Sequence, residues 1–586
     1  MMSEETPSFL KKLIIIAIVL NVSSIIIIAT FPYPYEDRSY LAIGPVFNQA
    51  DTRGLATLDP LDSWDGTSNS VLNQIFEPLF TYAYDKPELN YPHMPNLATS
   101  YYWDVTADIL TINLREDVTF HDGTIFNATT VEWNFKRFDY YCNLTGEIPG
   151  DVVLAYPEYL FHFADGVTPL WEGHMWLNET AFYINMTKPF TAIVHLLTYT
   201  ATAMVSPTSF DWNWKAPLLN VGANKEDVVG TGPFMFESYS INKECRMFRN
   251  PDWWGPEPYI KVLIYTYFDD TTAMSMATIA GDYDCQEGCP TSLIPTAQTS
   301  NVVEYVDFYE LTGQTAWCYC YIEMNSVWIP PAIRRALNDI YNWSYVNYEL
   351  LDNACVRPTS PVPYGMPSHD PTVEPLEFNI TQGRLEMQAY DPDTFGGLDL
   401  FDDAAWISLA DTWTEGNDWH TGSTPYYYKI WVYRYSFFYA TIADLMHEWG
   451  DLIGVRIVSN IPEWDYDPFD TLDPNLFDLW LTCWCPDYNN ALSMLAPLMR
   501  PESIFNLGQN NDTQINAWLD DASTTTDPVL YNQRVSQIQH RFVEVLASHI
   551  PFSYDKLTYL IKKGWKGCNY NAMRTIYYWQ MYWAPD

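Results

Sequence analysis

Basic side chains are scarce in this sequence: 30 Lys and Arg stand against 73 Asp and Glu in 586 residues, a formal net charge of −43. That balance excludes a nucleic-acid partner, because a phosphate backbone needs a basic face. It equally disfavours lying along an anionic lipid surface. Catalytic signatures are missing as well. There is no H-E-x-x-H and no G-x-S-x-G, and the ten histidines do not cluster at ligand spacing. Gly230-Thr231-Gly232 lacks a third glycine and opens into Pro233-Phe234, which excludes a dinucleotide loop. Low-complexity tracts and obvious repeats are also absent. Carboxylate pairs are inevitable among 73 acidic residues, so without geometry they do not indicate a glycosidase. The reading is of a protein that is not an enzyme and carries no cofactor or metal.

What is present is apolar and aromatic. Hydrophobic residues make up 48% of the chain and aromatics 16%, enough for large cores in a chain long enough for two or three lobes. Aromatics favour binding clefts because they offer wide rigid surfaces at low entropic cost. The plainer use of most of them is to fill sheets and interfaces. The acidity tolerates cationic or zwitterionic ligands, and the plainer use of most carboxylates is a solvated surface.

Lys11 and Lys12 precede an apolar run from Leu13 to Phe31, about the length that crosses a bilayer as a helix. The basic flank places residues 1–12 in the cytoplasm and everything after the span outside. No A-x-A site and no lipid-accepting Cys follow closely, so an uncleaved anchor over 13–31 is expected, with cleavage after Ala29 as the alternative. A Pro/Tyr-rich linker, 32–37, leads into the body. An outside location agrees with sequons at Asn127, Asn143, Asn178, Asn185, Asn342, Asn379 and Asn511, which make a glycoprotein conceivable. It also agrees with ten cysteines, all beyond the anchor, where disulfides are permitted.

Strands and helices alternate along the body, giving a mixed α/β or α+β class with several lobes. Leu110, Ile112 and Leu114 alternate with polar or outward residues as a half-buried strand. Thr129 and Glu132 read as a capping box before a helix at Val131–Phe138. Pro330-Pro331 opens a helix with Ile333, Ala336, Leu337 and Ile340 on one face. A strand at Ile430–Val432 leads to a helix near Phe438–Trp449 stopped by Gly450, followed by a strand at Val455–Val458. Asp527-Pro528 caps an amphipathic helix bearing Tyr531, Val535, Ile538, Phe542 and Leu546. The stretch 371–426 reads as an elaborated surface excursion. Asp391, Asp393, Gly396, Asp399 and Asp402 fall near calcium-loop positions, but Phe395 at position five and Asp at position twelve favour a solvated acidic loop.

Two segments place C-x-C in aromatic, strand-favouring runs: Trp317 to Asn325, with Cys318 and Cys320, and Leu481 to Tyr488, with Cys483 and Cys485. Alternation puts both cysteines of a segment on one face. If the strands are neighbours, the pairs can face each other across a ladder. Buried thiols or a tetrathiolate zinc site are the alternatives, though C-x-C is unlike the usual zinc knuckle.

In order along the body come Leu58-Asp59-Pro60, Ile75-Phe76-Glu77-Pro78-Leu79, Pro95-Asn96-Leu97-Ala98 to Trp103, and Leu114-Arg115 with Val118 to Gly123. Gly230 to Phe234, Asn250-Pro251-Asp252-Trp253-Trp254-Gly255 and Arg334-Arg335-Ala336-Leu337 continue the series. This ordered set resembles family 5 of the extracellular solute-binding proteins, the dipeptide- and oligopeptide-binding subunits of ABC importers. The resemblance implies a large two-lobed periplasmic-binding-protein-like fold with a third domain and a hinged cleft. Lobe I would comprise 38–77, 200–317 and 555–586, the extra domain 78–199, and the other lobe 318–554. It implies a peptide ligand, held largely through backbone hydrogen bonds, and delivery to permease subunits with their ATPases.

The oligopeptide-binding members carry W-C-x-D-Y-N where this chain has Trp484-Cys485-Pro486-Asp487-Tyr488-Asn489. By that resemblance Asp487 accepts the ligand's α-ammonium, Trp484 walls the cleft, and Cys485 and Tyr488 flank it. Trp64, Asp65 and Gly66 stand where the family offers backbone partners. Cys318–Cys485 is the implied bridge, and Cys320–Cys483 is an extrapolation beyond the family. Leu481 stands where the oligopeptide receptors have an Arg for the ligand carboxylate. Relatives that stack oligosaccharides on Trp and Tyr make a sugar ligand the rival reading; a surface hydrolase or a non-transport sensor is the alternative from another class.

Overall fold

A computed structural model describes residues 45–585, apart from 53, 85–92, 105–107, 146–158, 164, 309–317, 416–424, 433–436 and 461–476. The expected cytoplasmic tail, anchor and linker, together with Trp317, lie outside the described residues. Among the described residues no helix is long and apolar enough to cross a membrane.

Three sheets organise the chain. The largest has seven strands in the order Val303–Asp307, Thr558–Lys562, Cys285–Glu287, Val46–Asp51, Val262–Tyr267, Glu244–Arg249 and Phe234–Ser240. Val46–Asp51 runs parallel to both of its neighbours, so it joins segments distant in sequence. Val262–Tyr267 is buried at almost every position, as a strand covered on both faces must be. Phe47, Leu263, Tyr265 and Ile561 share its core.

The second sheet orders Cys355–Val356, His549–Asp555, Tyr319–Met324, Leu479–Trp484, Tyr427–Trp431 and Arg456–Asn460. Helix Pro331–Asp339 lays Ile333, Ala336 and Leu337 into one of its cores. Helix Pro528–His540, capped by Asp527, lays Val535 and Ile538 into the other, and Phe542 follows them. A small four-stranded sheet, Ala98–Asp104, Ile109–Leu114, Ala181–Met186 and Trp171–Asn178, is covered by helix Ala128–Tyr141 through Val131, Phe135 and Phe138.

Several local expectations need correction. The cap of helix Ala128–Tyr141 is Asn127, boxed with Thr130, because the asparagine oxygen reaches the N–H groups of Thr129 and Thr130. Glu132 pairs with Lys136 one turn on instead. Helix Phe437–Asp451 passes through Gly450, and the chain turns at Gly454, whose φ of 74° suits glycine. The stretch 371–426 is less of a surface excursion than its composition implies. It folds helices Ile380–Tyr390 and Asp403–Ala410, and buries Met387, Phe395 and Trp406 in the lobe core. Its acidic residues cap helices: Asp391 caps Pro392–Phe395 and Asp402 caps Asp403–Ala410. Asn127, Asn342 and Asn379, each within a sequon, are likewise helix caps, so capping alone accounts for an Asn there.

Four of the motifs that run in order through the sequence gather around the buried carboxylate of a fifth, Glu77. Glu77 accepts from Thr231 Oγ1 at 2.7 Å, Trp254 Nε1 at 3.0 Å and Trp253 Nε1 at 3.4 Å. Arg115 lies over the Trp254 ring at 4.1 Å and donates to Asn96 O, while Asn96 donates to Pro78 O. Gly230 is required by close approach, since a Cβ there would sit 2.1 Å from Ile75 O. These residues tie the large sheet to the small-sheet domain. Burial pushes the Glu77 carboxyl up to about 7 against the lowering effect of its hydrogen bonds.

Candidate functional site

A cavity of about 830 Å³ opens between the large-sheet lobe and the second-sheet lobe. That volume lies within the range of ligand sites. Three segments build its walls, and each is positioned by local chemistry.

The first is the start of helix Gly66–Ile75. Asp65 caps it by accepting from Ser68 N at 2.8 Å. Trp64, just before the cap, is 57% exposed and lines the cavity. Gly66 presents the first-turn backbone, whose N–H groups have no partner within a helix. A Cβ at Gly66 would meet nothing within 4 Å, so the glycine leaves the backbone open to the cavity without being needed for packing.

The second wall is the end of strand Leu479–Trp484 and the turn after it. Tyr319–Met324 pairs antiparallel with this strand, setting Tyr319 opposite Trp484 and Cys320 opposite Cys483. The Cys318 and Cys485 sulfurs are 2.06 Å apart, with Cα atoms separated by 4.4 Å. Cys320 and Cys483 are opposed in the same ladder but are thiols in the structure, contrary to the extrapolated second bridge. Their surroundings differ: Cys320 is buried among lobe-core side chains, whereas Cys483 is exposed at the cavity. Trp484 packs on Phe505 at 5.0 Å and donates to Ser493 O, which leaves its ring as a fixed wall. Asp487 also lines the cavity and is only 5% exposed; its backbone N–H donates to Ser493 Oγ at 2.8 Å.

Trp64, Asp65, Gly66, Trp484, Cys485 and Asp487 are thus brought to one cavity. Tyr488 is not. Its side chain is 7% exposed and joins the core of the small-sheet domain, because the chain has left the strand at Pro486 and turned away. Leu481 is fully buried in the lobe core, so the position that would have offered a cation offers only packing.

The third wall was invisible to sequence reasoning. It comes from 571–577, next to the C-terminal strands, and includes Arg574 and Tyr577, with Glu287 and Gly288 from the large sheet beside it. Tyr82 adds a hydroxyl that accepts from Asn489 N at 3.0 Å and is 2.9 Å from His195 Nδ1. Burial drives His195 down to about 3, so its ring is neutral. The usable signal for Arg574 was the scarcity of basic residues. Among the described residues that line the cavity it is the only cationic side chain.

Residues 93–506 match the family described as bacterial extracellular solute-binding proteins, family 5 Middle. The chain is 27% identical over 291 residues to the glutathione-binding protein GsiB of Shigella flexneri, covering 49% of this chain and 50% of that protein. It therefore spans about half the length of the curated relatives it matches. The periplasmic binding protein DppA of Helicobacter pylori, in complex with peptide STSA, superimposes with a TM-score of 0.72 at 15% identity, over 93% of this chain and 99% of that one. A dipeptide binding protein from Pseudoalteromonas sp. SM9913, in complex with Met-Leu, gives 0.72 at 16% identity, over 92% and 100%. The mixed helix-and-sheet body has the two-lobed fold of periplasmic binding proteins, and the chain belongs to family 5 of the bacterial extracellular solute-binding proteins.

Proposed function

We propose that this chain captures short peptides in the inter-lobe cavity and delivers them to the permease of an ABC importer. The observation that carries the reading is Asp487, a carboxylate only 5% exposed in the wall of a cavity framed by Trp64 and Trp484. A carboxylate in that wall can accept charge-assisted hydrogen bonds from a peptide's α-ammonium. The first-turn N–H groups at Gly66 are suited to donating to a peptide carbonyl. The ligands of two structural neighbours, STSA and Met-Leu, agree with a peptide.

The lobes assigned from the sequence, 38–77 with 200–317 and 555–586, and 318–554, meet at this cavity, with 78–199 as a third domain. Their closing on ligand is the capture step, and the Cys318–Cys485 bridge stiffens the wall that carries Asp487. The apolar run 13–31 would hold the assembly at the membrane with the cavity outside, next to its permease.

Native mass spectrometry of the purified chain, followed by extraction of whatever it carries, tests the ligand class. Peptides are expected, and recovery of sugars alone would sink the reading. Peptides with a free amino terminus should raise the melting temperature, and Asp487→Ala should abolish that rise. An unchanged rise in the variant places the ammonium site elsewhere.

A further inference from the structure

Arg574 is the one described cation in the cavity wall, and its setting is unusual in three respects. Its backbone has φ of 56°, in the left-handed region that an arginine rarely adopts. The surrounding turn enforces this. Asn571 Oδ1 accepts from both Met573 N at 2.8 Å and Thr575 N at 3.0 Å, while Arg574 N donates to Asn571 O at 3.1 Å. Gln74, from the helix that begins at Gly66, anchors the far side by donating to Ile576 O at 2.8 Å. The strained conformation therefore belongs to a turn held by two independent elements.

The guanidinium itself is incompletely satisfied. Nη2 donates to Glu287 Oε1 at 2.6 Å. Nη1 has a sulfur, Cys318 Sγ at 3.8 Å, which is a weak acceptor. Nε is buried with no hydrogen-bond partner. An arginine side chain 24% exposed at a cavity wall, with donors this poorly matched, is short of an acceptor. The other charged residues lining the cavity are Asp51, Asp65, Glu287 and Asp487, all of which repel an anion. Asp65 also occupies the N-cap of the helix start that would otherwise attract one.

We propose that Arg574 receives the free α-carboxylate of the peptide, taking over the role that Leu481 cannot fill. This deepens the peptide reading and rests on it. The cavity then has two poles, Asp487 for the ammonium end and Arg574 for the carboxylate end. Nη1 contacts the same Cys318–Cys485 bridge that lies two residues before Asp487, so both poles are referenced to one rigid link. The ligand class is a short zwitterionic peptide with both termini free, and the carboxylate provides the acceptor that Nη1 lacks.

The test uses the purified full-length chain and random dipeptide-to-pentapeptide libraries in three forms: free, C-terminally amidated and N-acetylated. Binding is read by thermal shift and by native mass spectrometry. Wild type should bind free acids roughly 10- to 100-fold more tightly than amides, the range of a hydrogen bond to a charged group. Arg574→Gln should erase that preference, and Arg574→Lys should restore part of it. Glu287→Gln removes the ion pair but keeps the guanidinium, and should preserve the preference for free acids. Equal binding of acids and amides by wild type overturns the proposal while leaving the peptide reading intact. Loss of the preference in Glu287→Gln as well would show that Arg574 acts only through its ion pair, which also overturns it. Binding of no library at all would remove the peptide reading and this inference together.

Discussion

Asp59 and Arg137 form a buried two-point ion pair, Arg137 Nη1 donating to Oδ1 at 3.0 Å and Nη2 to Oδ2. The same carboxylate accepts from Leu61 N at 3.0 Å and Leu219 N at 2.9 Å. One side chain thus fixes the segment that leads into Trp64-Asp65-Gly66 to the helix Ala128–Tyr141. Both partners are essentially inaccessible to water, at 1% and 0% side-chain exposure. Removing either one strands a charge in the interior. Asp59→Asn or Arg137→Met should therefore lower the unfolding free energy by about 3–5 kcal/mol. Urea denaturation measures it, and a change below about 1 kcal/mol would mean the pair is replaceable by water.

The two cavity tryptophans should separate binding from stability. Trp64 is 57% exposed, so Trp64→Ala should change stability by no more than about 0.5 kcal/mol. Its peptide affinity should fall about tenfold through lost contact area. Trp484, 8% exposed and packed on Phe505, should cost about 3–5 kcal/mol of stability as Trp484→Ala. Paired melts and titrations decide this, and equal destabilisation by the two variants would contradict the burial difference.

Burial holds two carboxyls protonated at unusually high pH. Glu77 is pushed from 4.5 to about 7, and Glu323 from 4.5 to about 8. Glu323 Oε1 accepts from Gly508 N at 2.7 Å, whereas Oε2 has no hydrogen-bond partner, so ionisation there is poorly supported. Both folded values lie above the unfolded ones, so folding takes up protons. The stabilisation is complete below about 4.5 and is lost as pH rises toward 7 and 8. Each group contributes on the order of 3 kcal/mol across its window. Glu323→Gln should flatten the decline of stability between about pH 5 and 8 relative to wild type. Parallel slopes in denaturation at several pH values would show that Glu323 is ionised throughout.

Reduction should expose the contribution of the Cys318–Cys485 link, which joins positions 167 residues apart. Closing a loop of that length restricts the unfolded chain by an amount equivalent to about 5 kcal/mol. Non-reducing peptide mapping should recover Cys318 joined to Cys485. Cys485→Ser should lower the melting temperature and weaken peptide binding, because the wall carrying Asp487 loses its tie. A variant that melts and binds like wild type would remove the bridge from any role at the site.

The extent to which the site was legible in the sequence differs from wall to wall. Trp484, Cys485 and Asp487 stand in one short run, and Trp64, Asp65 and Gly66 in another, so linear motifs reveal them. Tyr488 belongs to the first run by sequence yet faces a different core, because a chain leaving a strand at a proline no longer alternates. The ordered motifs were legible for a reason unconnected with ligand. Those around Glu77 fasten domains together, Asp59 pairs with Arg137, Arg334 donates to Leu546 O, and none of them lines the cavity.

The sequence by itself determined the mixed class, the family and two short runs of the cavity wall, Trp64-Asp65-Gly66 and Trp484 to Asp487. Those depend on composition, periodicity and short-range motifs, which are local properties of the chain. Only the tertiary structure decided that Arg574 and Glu287, 287 positions apart, meet in the wall of the cavity that Asp487 also lines. It alone also set Cys320 in a core and Cys483 at a surface. The physical reason is the topology of the large sheet: the chain's beginning, middle and end are adjacent strands, so residues remote in sequence share one wall.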